Sequence, residues 1–109
     1  MTTARFIKKA WIIKMKIGVD IDGTLTTSSK GWDYANRIPN HEMIAWVNKQ
    51  YDEGHFIELF TSRLPCDRAV TKKWLRTHGV KYNSLILGKP KYDLYVDDIA
   101  RRPEEVLNE

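Results

Sequence analysis

Cysteine is almost missing from this chain. Cys66 is the single thiol in 109 residues, which excludes an internal disulfide framework and fits a reducing compartment. Long apolar runs are missing too, since none approaches the roughly 20 residues needed to cross a bilayer. Trp11 to Ile13 is only an apolar patch in a basic stretch, without the h-region or small-residue cleavage site of a secretory signal. The expectation is a cytoplasmic protein with no membrane partner. No repeat, linker or low-complexity segment divides the sequence, so its length calls for one domain with one core.

Charge of one sign is scarce outside the first residues. The chain carries a formal net charge of +4. Residues 1–14 hold Arg5, Lys8, Lys9 and Lys14 with no acid, which accounts for all of it. Residues 15–109 are left with fourteen basic and fourteen acidic side chains, a balance of zero. Four cations in an arm give only weak, salt-sensitive binding to polyanions, so the balance argues against a nucleic-acid partner. Residues 1–14 read as a basic arm, disordered or non-native, and Met15 as a natural start. Residues 15–109 form the expected domain.

What is present is a strand–helix alternation. Residues 16–22, KIGVDID, read as a strand buried on both faces. A polar loop follows through residue 38. Asn40 then caps a helix whose face is Met43, Ile44, Val47 and Tyr51 and which ends at Gly54. Phe56 to Phe60 is a second strand. Asp67 is expected to cap a second helix carrying Val70, Trp74 and Leu75 and stopping at Gly79. Ser84 to Leu87 reads as a third strand and Leu94 to Val96 as a fourth, with Pro103 opening a short terminal helix. Such alternation implies βαβ units and a parallel sheet, an α/β fold.

Ligands of such sheets bind beyond the carboxyl ends of the strands. Those ends carry Asp20 and Asp22, then Thr61, Ser62 and Arg63, then Gly88 and Lys89, and finally Asp97 and Asp98. Residues two apart on a strand share a side, so Asp20 and Asp22 aim at one site. Clustered carboxylates repel unless a cation sits among them, and oxygen ligands without His or Cys suit Mg²⁺ paired with a phosphate. Lys89 supplies positive charge, and the Thr61 hydroxyl with nearby N–H groups can hold phosphate oxygens. An ionised aspartate can attack phosphorus, and a neighbouring carboxyl can protonate the leaving oxygen and later activate water.

These residues carry a resemblance. DIDGTLT at 20–26 resembles the first motif of the haloacid-dehalogenase (HAD) superfamily, IELFTSR at 57–63 the second, LGKP at 87–90 the third and YVDD at 95–98 the fourth. The similarity covers about residues 15–105, and GKPKYDLYVDDIARRPEE resembles the small capsule-biosynthesis-phosphatase-like group of bacteria and phages. The resemblance implies a Rossmann-like three-layer sandwich around a small parallel sheet. It implies Asp20 as the nucleophile that becomes aspartyl-phosphate and Asp22 as general acid/base, with its backbone carbonyl helping to bind Mg²⁺. Thr61 would hydrogen-bond the phosphoryl group, with Ser62 and Arg63 beside the substrate. Lys89, rather than Lys91, would neutralise charge, because Pro90 follows it as in the family. Asp97 would bind Mg²⁺ with Asp98 as a second or water-mediated ligand. The gap between Lys89 and Asp97 is shorter than the family's usual intervening helix.

Only about 15 residues separate Leu25 from the first helix, so no cap domain fits there or after the second strand. The expected protein is a capless Mg²⁺-dependent phosphomonoesterase for a sugar phosphate or nucleotide, and capless relatives imply a homo-oligomer. A nucleic-acid end phosphatase is the second enzyme reading, and a phosphoaspartate receiver or binding module the non-enzyme one. A receiver would place its aspartate on the third strand, which here ends in Leu87 and Gly88. A calcium loop fails because its twelfth residue from Asp20 is Gly31. A cysteine phosphatase would need Arg where Lys72 stands. His41, His55 and His78 show no metal-ligand spacing. Trp32 and Tyr34, in the loop after the first strand, are candidates for substrate contact or for anchoring the loop.

Overall fold

The computed structural model describes residues 14–109; the expectation of a disordered or non-native arm at 1–14 falls almost wholly outside them. Three parallel strands form one sheet in the order β1 (Lys16–Asp20), β2 (Phe56–Phe60) and β3 (Ser84–Ile86). Val19 pairs with Leu59, and Leu59 with Leu85. Helix α1 (His41–Asp52) joins β1 to β2, α2 (Arg68–Thr77) joins β2 to β3, and α3 (Pro103–Leu107) closes the chain. Single 3-10 turns stand at Tyr34–Asn36 and Pro65–Asp67. This is a small α/β domain. Among the described residues no helix is long and apolar enough to cross a membrane.

The elements form where local chemistry directs them. The Asn40 side chain accepts a hydrogen bond from the Met43 N–H at 3.2 Å, satisfying one of the donors a helix start leaves open. Gly54 and Gly79 end the first two helices at φ of 94° and 67°, where a Cβ is strained. Asp67 does not cap α2. Its carboxylate instead accepts from the Leu64 N–H at 3.1 Å and holds the turn before the helix. Asn83 extends the sheet ahead of β3, because its backbone N–H donates to the Ile57 carbonyl and its side-chain oxygen accepts from the Ile57 N–H, both at 2.8 Å.

The core is formed by Val19, Ile21, Leu25, Met43, Ile44, Val47, Ile57, Leu59, Trp74 and Leu75. Val106 and Leu107 of α3 pack against it. Ile21 and Leu25 are fully buried just beyond β1, so the loop that follows the strand is anchored at its root. The Ile21 carbonyl accepts from the N–H groups of Thr24, Leu25 and Thr26, a tight turn that Gly23 permits at φ 83°.

The expected fourth strand does not form. Leu94 and Val96 are 74% and 84% exposed, and residues 94–96 join no strand. Local bonds replace ladder bonds: the Asp97 carboxylate accepts from the Ile99 N–H at 2.8 Å and from the Tyr95 hydroxyl at 2.9 Å. The rings of Tyr92 and Tyr95 stack at 6.1 Å. The segment is tied down at its two ends, by the Lys89 N–H on the Thr61 carbonyl at 2.9 Å and by α3 on the core.

Leu59→Ala is expected to cost about 2–5 kcal/mol in urea unfolding, the range for emptying a packed site. Leu94→Ala should stay within about 0.5 kcal/mol. Equal losses would restore a packed role, and with it a fourth strand, to residues 94–96.

Candidate active site

The ends of β1 and β2 face one pocket of about 880 Å³. Its chemical end holds Asp20, Asp22, Ser62 and Lys89, and the loop after β1 contributes Tyr34 and Arg37. Asp20 ends β1, and one carboxylate oxygen accepts from the Ile21 N–H at 2.8 Å. Lys89 Nζ stands 3.4 Å from the other oxygen. The same ammonium lies 4.5 Å from the centre of the Phe60 ring, a cation–π contact. Lys89 reaches the site although no helix separates it from β3, because Gly88 turns at φ 77° and donates to the Arg63 carbonyl at 2.8 Å. Burial pushes the Asp20 carboxyl up from its usual 3.8, while the charge of Lys89 pulls it back down.

Asp22 sits in a different environment. Arg63 donates to both of its oxygens, Nε at 2.9 Å and Nη2 at 2.7 Å. This two-pronged geometry is the strongest that guanidinium and carboxylate make. The third arm of Arg63 donates to Thr71 Oγ1 on α2 at 2.9 Å, and the guanidinium lies 4.0 Å from the centre of the Tyr34 ring. Arg63 is thus 2% exposed, with every nitrogen engaged. Arg37 adds a second guanidinium, its Nε 3.4 Å from Asp22. Its two terminal nitrogens donate to the carbonyls of Lys30 and Gly31, so the ion cluster also holds the loop before it. Trp74 Nε1 donates to the Arg37 carbonyl at 2.8 Å, fixing that residue from α2.

The structure brings Asp20, Asp22, Ser62 and Lys89 together, as the strand-end reading expected. Arg63 differs from that reading: it is buried behind Asp22 and positions the carboxylate instead of lining the pocket. Thr61 is buried too, its hydroxyl accepting from the Arg63 N–H at 3.1 Å, and it is not among the lining residues. Asp97 and Asp98 do not reach the pocket. Their segment is exposed, and the two hydrogen bonds on the Asp97 carboxylate hold its pKa below the usual value.

Asp97 and Asp98, two of the expected Mg²⁺ ligands, stand apart from Asp20 and Asp22. A hard cation needs several converging oxygens, whereas Arg63 takes a lone pair on each Asp22 oxygen. No fourth strand carries Asp97 and Asp98 alongside β1. Among the described residues no group of three or more His, Cys, Asp or Glu side chains could hold a metal.

Arg37 and Thr71 escaped sequence reading. Arg37 stands outside all four motif stretches, and Thr71 is one polar position on a helix face. Their roles arise only when α2 packs against the loop after β1.

No family model and no curated protein matches the chain. Solved structures do resemble it, two of them as follows. A crystal structure of a target protein from Vibrio cholerae is 29% identical with a TM-score of 0.75, over 87% of this chain and 89% of that one. A chain in a structure of a Pnkp1/Rnl/Hen1 complex is 21% identical with a TM-score of 0.61, over 91% of this chain but 35% of that one. Both likenesses are to the fold.

Removing one partner of a buried pair strands the other. Arg63→Met is expected to cost about 3 kcal/mol in chemical unfolding, and Arg63→Met with Asp22→Asn less than the two single losses added. Additive losses would mean the fork contributes nothing as a pair. In metal-free buffer, Asp20→Asn should become progressively more stable than the parent as pH rises above 3.8. The folded parent holds the Asp20 proton more tightly than the unfolded chain, so ionisation costs it stability. A gap that narrows as pH rises would reverse the sign of this shift.

Proposed function

We propose that this chain is a phosphomonoester hydrolase acting through an aspartyl-phosphate on Asp20. The observation that carries the reading is the Asp20–Lys89 pair at 3.4 Å inside a pocket that also holds Asp22. With it we propose the HAD resemblance as kinship, a capless three-layer Rossmann-like core, a cytoplasmic setting and a homo-oligomer. A small phosphorylated metabolite, a sugar phosphate or nucleotide, is the substrate.

The chemistry divides between the two carboxylates. One Asp20 oxygen is held by the Ile21 N–H; the other faces Lys89 at 3.4 Å and keeps a lone pair to attack phosphorus as the bond to the leaving oxygen breaks. Asp20 is less solvated than a surface carboxylate, and Lys89 spreads its positive charge between nucleophile and incoming phosphate. Asp22 keeps one lone pair on each oxygen clear of Arg63. It hands a proton to the leaving oxygen, then takes one from the water that cleaves the Asp20–phosphorus linkage. Arg63 and Thr71 keep that carboxylate aimed throughout. Mg²⁺ dependence belongs to the proposal through the resemblance alone: Asp20 and the Asp22 backbone carbonyl would hold the ion, which would screen the charge of the incoming phosphate.

Phosphate release from acetyl phosphate and a small aryl phosphate tests the proposal. Asp20→Asn should abolish turnover, and Lys89→Met should lower kcat/KM by at least tenfold. EDTA should stop the reaction and excess Mg²⁺ restore it. Full activity in Asp20→Asn would refute the nucleophile, and EDTA-indifferent turnover would remove the metal.

A further inference from the structure

We infer that the outer part of this pocket is a subsite for a nucleotide carrying a second phosphate besides the one removed. The inference rests on the phosphatase reading for the chemistry at Asp20, but its own observations lie at the mouth.

The pocket is far larger than the chemistry requires. Its volume of about 880 Å³ lies in the range of roughly 300–1,000 Å³ that accommodates a drug-sized ligand, whereas Asp20, Asp22 and Lys89 occupy only one end. Lys30, Lys91 and Arg102 line the remainder. None of these three makes an ion pair among the described residues, whereas Lys89, Arg37 and Arg63 are each paired with an aspartate. Three unpaired cations beyond the lysine at the nucleophile exceed what one phosphate needs. Asp93 and Glu104 also line the mouth, offering acceptors for hydroxyl or amino groups.

An aromatic surface stands beside these cations. Trp32 is 85% exposed and Tyr92 60% exposed, and both line the pocket. The indole meets the Tyr34 ring at an angle, 6.4 Å between centres, and its exposure shows that core burial does not account for it. A flat indole among cations is the combination that stacks a base while neighbouring charges take backbone phosphates. The presenting loop is not left to chance. Arg37 grips the carbonyls of Lys30 and Gly31 while its Nε faces Asp22, which links the base platform to the reacting end. The zero balance of residues 15–109 conceals this grouping, since at the mouth Lys30, Lys91 and Arg102 outnumber Asp93 and Glu104.

A sugar phosphate would leave the cations unanswered. The shared chemistry is a nucleotide with a terminal phosphomonoester and a further phosphate, found in a nucleoside bisphosphate or at a phosphorylated single-strand end.

Initial rates should be compared for acetyl phosphate, glucose 6-phosphate, a nucleoside monophosphate, a nucleoside 3′,5′-bisphosphate and end-phosphorylated oligonucleotides. The bisphosphate or the oligonucleotide is expected to exceed glucose 6-phosphate in kcat/KM by about tenfold or more. Trp32→Ala and the pair Lys30→Ala/Lys91→Ala should raise KM for that substrate and lower its preference over acetyl phosphate. Rates that rise with strand length and fall steeply with salt identify a strand end; equal rates identify the free nucleotide. A preference for glucose 6-phosphate, or equal losses on every substrate in the variants, would overturn the subsite. If the parent protein hydrolyses nothing, the phosphatase reading fails alone. Calorimetric binding of the bisphosphate, weakened at least tenfold by Trp32→Ala, would still support the subsite, and unchanged binding would refute it.

Discussion

The fork between Arg63 and Asp22 is the interaction around which this domain is organised. It ties the loop after β1 to the loop after β2, and Thr71 extends it to α2. Burying such charges is costly unless each polar atom finds a partner. Every Arg63 nitrogen has such a partner and Tyr34 covers its plane, whereas Arg37 Nε faces the same carboxylate at 3.4 Å without a hydrogen bond. Tyr34 and Arg37 both come from the loop whose root is fixed by Ile21 and Leu25. Packing, loop conformation and the orientation of Asp22 are therefore one problem with one solution.

The two carboxylates of the DID stretch are separated by environment as much as by position. Asp20 meets a lysine that is partly exposed and shared with the Phe60 ring, and burial raises its pKa. Asp22 meets a fixed guanidinium that cannot move without unpacking Thr71 and Tyr34. A single weakly compensated carboxylate suits attack, and a rigidly aimed one suits proton transfer. The Asp22–Gly23 turn gives this geometry, since Gly23 lets the Ile21 carbonyl collect three N–H groups.

Much of this was legible in local patterns. Asn40, Gly54 and Gly79 set helix ends through chemistry contained within a few residues, and the apolar runs at 56–60 and 84–86 found each other as parallel strands. The alternation at 94–96 failed because three residues supply few ladder bonds, while Asp97 and the stacked tyrosines offer nearer partners. Asp97 and Asp98 went with it. Arg63 stands just past the end of β2, as its place in the sequence suggested, yet its direction depended on Thr71, which belongs to another element. Arg37 had no local signal at all, since its partners are a backbone loop, a carboxylate on β1's far side of the turn and an indole on α2. Pairings that need tertiary packing are the ones a linear reading misses.

On the proposed chemistry, Asp20 carries the phosphoryl group. The most direct measurement is the mass of the peptide containing residue 20 after Asp22→Asn protein is mixed with acetyl phosphate, quenched in acid and reduced with borohydride. A reduced side chain is expected at Asp20, because its acyl-phosphate accumulates when the partner carboxylate cannot activate water. An unmodified Asp20 in protein that still releases phosphate would mean direct attack by water and would contradict the account.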